Sequence, residues 1–115
     1  MEVSFLLSLD ELYTLIALTP EVSKAGRRFC DEALSGAEIC DLSGLVEKKL
    51  AHRMEDELVI EPVLRMVCGA ISKADSAEVN GEAWSICSPW VALQCEKYAY
   101  HEDHWKITPV KEADS

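Results

Sequence analysis

The sequence lacks the short motifs that mark the common catalytic and cofactor-binding sites. It contains no CxxC pair, no GxSxG, no glycine-rich phosphate loop and no HExxH. A zinc ribbon or a thioredoxin-like redox site needs closely paired cysteines, so neither is supported. None of the five cysteines lies in a glycine-flanked nucleophile elbow. We therefore expect a protein that is not an enzyme, binds no cofactor and keeps its cysteines reduced.

Long apolar runs are also missing. The longest uncharged run, residues 83–95, contains Pro89 and is much shorter than the ~20 residues that span a bilayer. The first ten residues carry acids where a secretory signal would carry cations. These absences predict a cytoplasmic protein that has no membrane partner.

Positive charge is scarce. The 115 residues include 11 Lys and Arg against 21 Asp and Glu, which gives a net charge of −10. A chain with this charge repels polyphosphates at long range, so nucleic acid is a disfavoured partner. Apolar residues make up 49% of the chain, as is typical of a packed globular protein. Length and composition predict one domain over residues 1–115.

Residues 1–75 carry mainly helical signals. Ser8 and Glu11 form a capping box that predicts the start of a first helix, which ends at Pro20. Thr19 and Pro20 predict the cap of a second helix. Pro62 opens a fourth helix, and residues 58–60 before it are expected to form a brief extended link.

A third helix is expected after Asp41. Its apolar stripe would be Leu42, Leu45, Val46 and Leu50, and its polar side would include Glu47, Lys48, Lys49 and Arg53. Three helices followed by strands suit a winged-helix topology. Lys48, Lys49 and Arg53 are then the candidate DNA contacts of a transcriptional regulator, although acidic neighbours surround them.

Residues 76–110 change to a strand pattern. Asn80 and Gly81 are a strong hairpin signal, and runs at 82–88, 90–100 and 104–110 predict three antiparallel strands. Residues 77–79 could add a fourth strand, and residues 111–115 are expected to be a frayed tail. The fold class is therefore α+β, with about four helices followed by a three- to four-stranded antiparallel meander.

Five of the eight aromatic residues lie in this meander. Simple alternation places Trp90, Tyr98 and Tyr100 on one strand face. One interpretation is that one set of aromatics forms the core and the rest are ordinary exposed residues. The other is that the surplus face binds a protein partner or a second copy in a homodimer. Trp90, Tyr98 and Tyr100 are the candidate contacts.

The run His101-Glu102-Asp103-His104 is the densest group of possible metal ligands. His101 and His104 could hold one cation if the turn folded back, which would make a metal-binding sensor or enzyme the third hypothesis. A hairpin turn is also where polar residues ordinarily occur. An ordinary polar hairpin turn that binds no metal is therefore the favoured interpretation.

The order of signals resembles one known family. Ser-Leu-x-Glu-Leu-x-x-Leu at residues 8–15, Leu-Val-Glu-Lys-Lys-Leu at 45–50, Leu-Val-Ile-Glu-Pro-Val-Leu at 58–64 and Trp-Lys-Ile-Thr-Pro-Val at 105–110 are similar to the repeating half of EspG-like proteins. The resemblance implies a cytosolic, non-enzymatic chaperone or accessory protein of type VII (ESX) secretion that binds helical, secreted substrates. The chain has about half the length of such a protein, which implies either a stand-alone half that dimerises or a different protein of similar topology.

Overall fold

Four helices and seven strands make up the described part of the chain. The computed structural model describes residues 4–19, 21–98 and 104–110. The elements in chain order are β1 (Phe5–Ser8), α1 (Leu9–Ala17), α2 (Lys24–Ala33), α3 (Ser43–Glu47), β2 (Ala51–Met54), β3 (Glu57–Ile60), α4 (Pro62–Ser72), β4 (Ser76–Asn80), β5 (Ala83–Cys87), β6 (Ala92–Lys97) and β7 (His104–Val110). The α+β fold class predicted from the sequence is confirmed.

The main sheet has five antiparallel strands in the order β1-β7-β6-β5-β4. The strands β4 to β7 form the predicted meander, and the first pair turns at Gly81, whose φ of 63° lies in the left-handed region that glycine adopts without strain. The sheet is larger than predicted because β1 joins it at the edge, with Leu7 opposite Trp105. A short N-terminal strand thus closes one side of the meander.

One face of this sheet packs against α1, α2 and α4. Side chains alternate along each strand, so Leu93 and Cys95 of β6 point into the core while Gln94 between them is exposed. The Phe29 ring of α2 lies edge-on to Trp84 and Trp105, with ring centroids 5.4 Å and 5.7 Å apart. Such edge-to-face pairs stabilise a core beyond the area they bury. Two of the aromatics in the meander are therefore core residues.

Both edge strands of the main sheet have a backbone carbonyl bound by a cation. Arg28 Nη1 donates to the Ala77 carbonyl of β4 at 3.0 Å. Lys48 Nζ donates to the Leu6 carbonyl of β1 at 3.3 Å. Because charged side chains at an edge disfavour pairing with another strand, each edge is partly protected.

The third helix is shorter than predicted. It ends at Glu47, and Lys49 adopts a φ of 64°, a left-handed conformation that stops a helix. Residues 51–54, predicted as helix, form β2, which pairs with β3 in a separate two-stranded sheet. Ala51 is buried and Leu58 packs against the core, so tertiary burial favours the hairpin over the helical spacing.

The helix starts follow the sequence with one correction. The capping box of Ser8 and Glu11 is present, and Pro62 occupies the first turn of α4, as predicted. The second helix starts later than predicted, because Ser23 caps it. Thr19 instead lies just after α1, and its hydroxyl donates to the Ile16 carbonyl in the last turn of that helix at 2.6 Å. None of the helices in the described ranges is long and apolar enough to cross a lipid bilayer.

Candidate protein-binding groove

The three candidate DNA contacts do not lie together on one helix. Lys48 and Lys49 lie in the turn after α3, and Arg53 lies on β2. Lys48 Nζ donates to Glu11 Oε1 at 2.6 Å. Much of its charge is therefore compensated within the protein. The predicted basic helix face is wrong, because the helix that would have carried it ends before these residues.

Glu11 is the buried acid of this ion pair. Its residue is only 7% exposed, and its carboxylate also accepts from the Ser8 backbone N–H at 2.9 Å. Burial alone would raise the pKa of this carboxyl. The hydrogen bond and the charge of Lys48, together with the hydrogen bonds of Ser8, outweigh burial and leave the pKa of Glu11 below its ordinary value. Glu11 is thus a structural carboxylate that fastens the start of α1 to the turn after α3.

The candidate metal ligands cannot be compared as a pair. His101 lies outside the described residues, and so does Tyr100. His104 begins β7, where its Nε2 lies 3.5 Å from Lys48 Nζ. No group of three or more His, Cys, Asp or Glu residues that could hold a metal ion occurs in the described part of the chain.

Trp90 and Tyr98 lie at opposite ends of β6. The six residues of β6 lie between them and span about 20 Å. Trp90 is 51% exposed in the turn before β6, where its backbone N–H points to Ser88 Oγ. Tyr98 is half-buried, and its backbone N–H donates to the His104 carbonyl. The structure therefore does not bring these two candidates into one patch.

The outer face of the main sheet is small and polar rather than aromatic. Its side chains on β5, β6 and β7 are Ala83, Ser85, Cys87, Ala92, Gln94, Glu96, His104, Lys106, Thr108 and Val110. Trp84 and Trp105 point to the opposite, core side. The surplus aromatic face considered from the sequence does not occur on these three strands.

A groove of mixed apolar and polar lining lies elsewhere, between the end of α1, the strand β3 and the helix α4. Its volume is about 400 Å³. The residues that line it are Leu15, Leu18 and Thr19 at the end of α1, Glu57–Ile60 of β3, and Arg65, Cys68 and Gly69 of α4. Leu18 is 66% exposed, the largest exposed fraction of the big apolar side chains described. This groove is the strongest candidate for a binding site.

The edge of β3 that pairs with no strand in the described ranges forms one wall of the groove. All four consecutive residues of β3 line it, although their side chains alternate between two faces, so the wall includes the backbone. The Glu61 N–H donates to the Leu50 carbonyl, which fixes the hydrogen-bonding pattern of the hairpin. By alternation, Val59 bonds to β2, whereas Leu58 and Ile60 direct their N–H and C=O groups away from β2.

Gly69 keeps the opposite wall low. A Cβ atom at this position would have no heavy atom within 4 Å. The space next to this turn of α4 is therefore open to the groove. An open strand edge faces an uncrowded helix surface across an apolar floor.

Sequence reasoning missed the groove as a site. Residues 58–60 were expected to be extended, which was correct, but nothing in the pattern placed them beside Leu18 and Gly69. The one local signal was the large apolar side chain of Leu18, which continues the apolar pattern of the first helix to its C-cap.

Comparisons with known proteins identify no relative. No protein-family model matches the chain, and no curated protein or solved structure matches it. The function is therefore argued from the structure of the groove.

Proposed function

We propose that this chain is a non-enzymatic protein-binding module and that the groove between α1, β3 and α4 is its docking site. The observation that carries the proposal is the unpaired edge of β3 beside an apolar floor. Backbone groups at a strand edge and exposed apolar side chains both gain free energy when a partner covers them. Burial of apolar area contributes roughly 25 cal/mol per Å², so Leu18, the most exposed apolar side chain of the groove, is the groove residue that gains most.

Type VII secretion is the most concrete version of this function. The segment at residues 58–64, which carries part of the resemblance to EspG-like proteins, includes two residues of the groove wall that direct backbone groups outward, Leu58 and Ile60. An accessory protein of this kind would hold a secreted substrate in the groove before export. The captured partner is then expected to be an exported protein.

We also propose a winged-helix-like arrangement for the first part of the chain. Three helices, α1 to α3, precede the hairpin of β2 and β3, which is the order of helices and wing in that topology. The charges favour a protein partner over DNA. Lys48 is paired with Glu11, and the tip of the hairpin carries Glu55, Asp56 and Glu57 where a DNA-binding wing needs cations.

A matched pair of substitutions tests the proposed docking site. Leu18 and Ile39 are 66% and 63% exposed, and only Leu18 lines the groove. We expect Leu18→Lys to abolish capture of the native partner by cross-linking and pull-down, while Ile39→Lys retains it. Thermal unfolding of both variants checks that the fold is unchanged.

Three results would contradict the proposal. Equal capture by Leu18→Lys and the wild-type chain would remove the groove as the docking site. Loss of capture on Trp90→Ala alone would move the site to the turn before β6. A gel shift with duplex DNA that weakens on Lys49→Glu and Arg53→Glu substitution would replace protein binding with DNA binding.

A further inference from the structure

We propose that the occupant of the groove is an extended peptide segment that adds to β3 as a third strand of the β2–β3 sheet, with a basic residue at the end beside the hairpin tip. This inference rests on the protein-binding function proposed above. It names the conformation of the partner, the backbone groups that it uses and its charge.

The backbone of β3 sets the conformation. Leu58 and Ile60 lie two residues apart and both direct N–H and C=O groups toward the groove. In the described part of the chain, β2 is the only strand that pairs with β3. A helix satisfies its own N–H and C=O groups internally and offers nothing to this edge, whereas an extended segment offers donors and acceptors at the same two-residue spacing. The edge therefore selects an extended segment, in place of the helical substrate that the resemblance to EspG-like proteins implies.

The length of β3 sets the length of the pairing with an added strand. The four residues of β3 span about 13 Å, and a neighbouring strand would lie about 4.8 Å away. Leu15 and Leu18 at the floor, and Gly69 on the opposite wall, face the side chains of the added strand. Alternate residues of the segment are therefore apolar, and those between them face solvent and can be polar.

Charge distinguishes the two ends of the groove. Three consecutive acids, Glu55, Asp56 and Glu57, are exposed at the hairpin tip, and Glu57 lines the groove. Arg65 also lines the groove, on the side of α4. A lysine or arginine in the segment is favoured near the tip, and this preference weakens as salt screens the exposed charges.

Amide exchange of the ¹⁵N-labelled chain tests the strand addition directly. The probes are blocked seven-residue peptides with alternating valine and threonine and two lysines at one end, together with the same peptides in reversed order. The Leu58 and Ile60 amides are expected to exchange at least about tenfold more slowly with a peptide bound, because they become hydrogen-bonded. The Val59 amide already bonds to β2 and is expected to change little.

A matched peptide separates backbone pairing from side-chain contact. Methylation of the peptide nitrogens that face β3 removes the donors without removing any side chain. We expect about fivefold weaker binding for each donor lost, as measured by fluorescence anisotropy. Methylation of the alternate nitrogens, which face solvent, is the control and is expected to change binding much less.

Two substitutions test the walls. Gly69→Leu places a side chain in the open space of the groove, and we expect at least about tenfold weaker peptide binding with no loss of thermal stability. Met66→Leu lies on the same helix outside the groove and is the control. Glu57→Lys is expected to weaken the lysine-bearing peptides and to reverse the preference for the basic end.

The outcomes separate this inference from the proposed function. Peptide binding without protection of Leu58 and Ile60 would overturn strand addition, and so would the absence of binding by every probe at millimolar concentration. In both cases, loss of the native partner on Leu18→Lys would still support the protein-binding groove and would indicate a helical or folded occupant. A dimer in light scattering that dissociates on Gly69→Leu would identify the occupant as a second copy and overturn the peptide proposal.

Discussion

Gly26 of α2 packs directly against the carbonyl oxygen of Ile71 in α4, and no side chain fits between them. The Ser23 hydroxyl, which caps α2, also donates to the Ala74 carbonyl at 2.7 Å. The Ser23 backbone N–H donates to the Ser72 carbonyl, also at 2.7 Å. The start of α2 is therefore held against the end of α4 by one close approach and two hydrogen bonds. This contact positions α4, the helix that forms a wall of the groove.

Alanine at Gly26 and at Gly69 should change stability in opposite directions. Gly26→Ala forces the two helices apart, so we expect the free energy of unfolding to fall by about 1–3 kcal/mol. Gly69→Ala adds a methyl group in open space within a helix and should raise this free energy by up to about 1 kcal/mol. Urea denaturation of the two variants measures both. A shift of the same sign in both would contradict the described helix contact.

The ion pair of Glu11 and Lys48 should make stability depend on acid pH. Hydrogen bonds and charge lower the pKa of Glu11 in the folded state despite its burial. The pair therefore stabilises the fold above the unfolded-state pKa of about 4.3, and this stability is lost as the pH falls through the lowered value. We expect Lys48→Met to cost about 1–2 kcal/mol at pH 7 and to flatten the stability profile below pH ~5.

Lys49→Met is the control for this prediction. It removes the same charge from the adjacent position, which lies in the turn away from Glu11. Denaturation curves between pH 3 and 7 compare the two variants. A Lys48→Met profile that remains parallel to that of the wild-type chain would show that the pair does not set the pH dependence.

The three tryptophans should differ in their access to solvent. Trp84 and Trp105 are 5% and 3% exposed beside Phe29, whereas Trp90 is 51% exposed. Iodide in solution should therefore quench one fraction of the fluorescence. Trp90→Phe should remove nearly all of this fraction, while Trp84→Phe should leave it in place. Quenching that survives Trp90→Phe in a folded protein would contradict the packing of the meander.

The cysteines should react with thiol reagents in the order of their exposure. Burial raises the pKa of the Cys68 thiol to about 12 and of Cys30 to about 11, where Asp31 adds to the rise, and it raises the pKa of Cys95 further. The thiolate is the reactive form, so these groups react slowly in the native state. The exposed Cys87 should react first. Mass spectrometry after brief alkylation should show this, and Cys87→Ser should remove the fast phase.

Local sequence signals predicted the elements whose geometry is determined locally. The capping box at Ser8, the proline at the start of α4 and the turn at Gly81 each bring their own backbone hydrogen bonds or dihedral preference. These signals act within four residues. They can be predicted from the sequence because distant residues have little effect on these local conformations.

The hairpin of β2 and β3 could not be predicted in this way. Its turn begins at Glu55, whose φ of 57° is a conformation in which glycine or asparagine is expected. The helical spacing of Leu45, Val46 and Leu50 continues toward the strand and conceals it. The strand forms because Ala51 and Ile60 pack against a core built by residues far away in the chain.

The groove is less predictable still, because it depends on three elements meeting. Leu18, Ile60 and Gly69 are each unremarkable in their local sequence. They become a site only when α4 turns back beside α1, a placement fixed by contacts such as the hydrogen bond of Thr19 with Ser72. Such long-range geometry has no periodic signature in the sequence.

The cations that bind the carbonyls of β1 and β4 affect how the protein aggregates at high concentration. A segment that approaches either edge of the large sheet must first displace Lys48 from Leu6 or Arg28 from Ala77. Arg28 would also have to leave the face of the Trp84 ring. The barrier discourages two copies from polymerising through their sheets into fibres. Under the proposal that β3 pairs with an extended segment of a partner, the two large edges would stay closed while the small hairpin edge stays available.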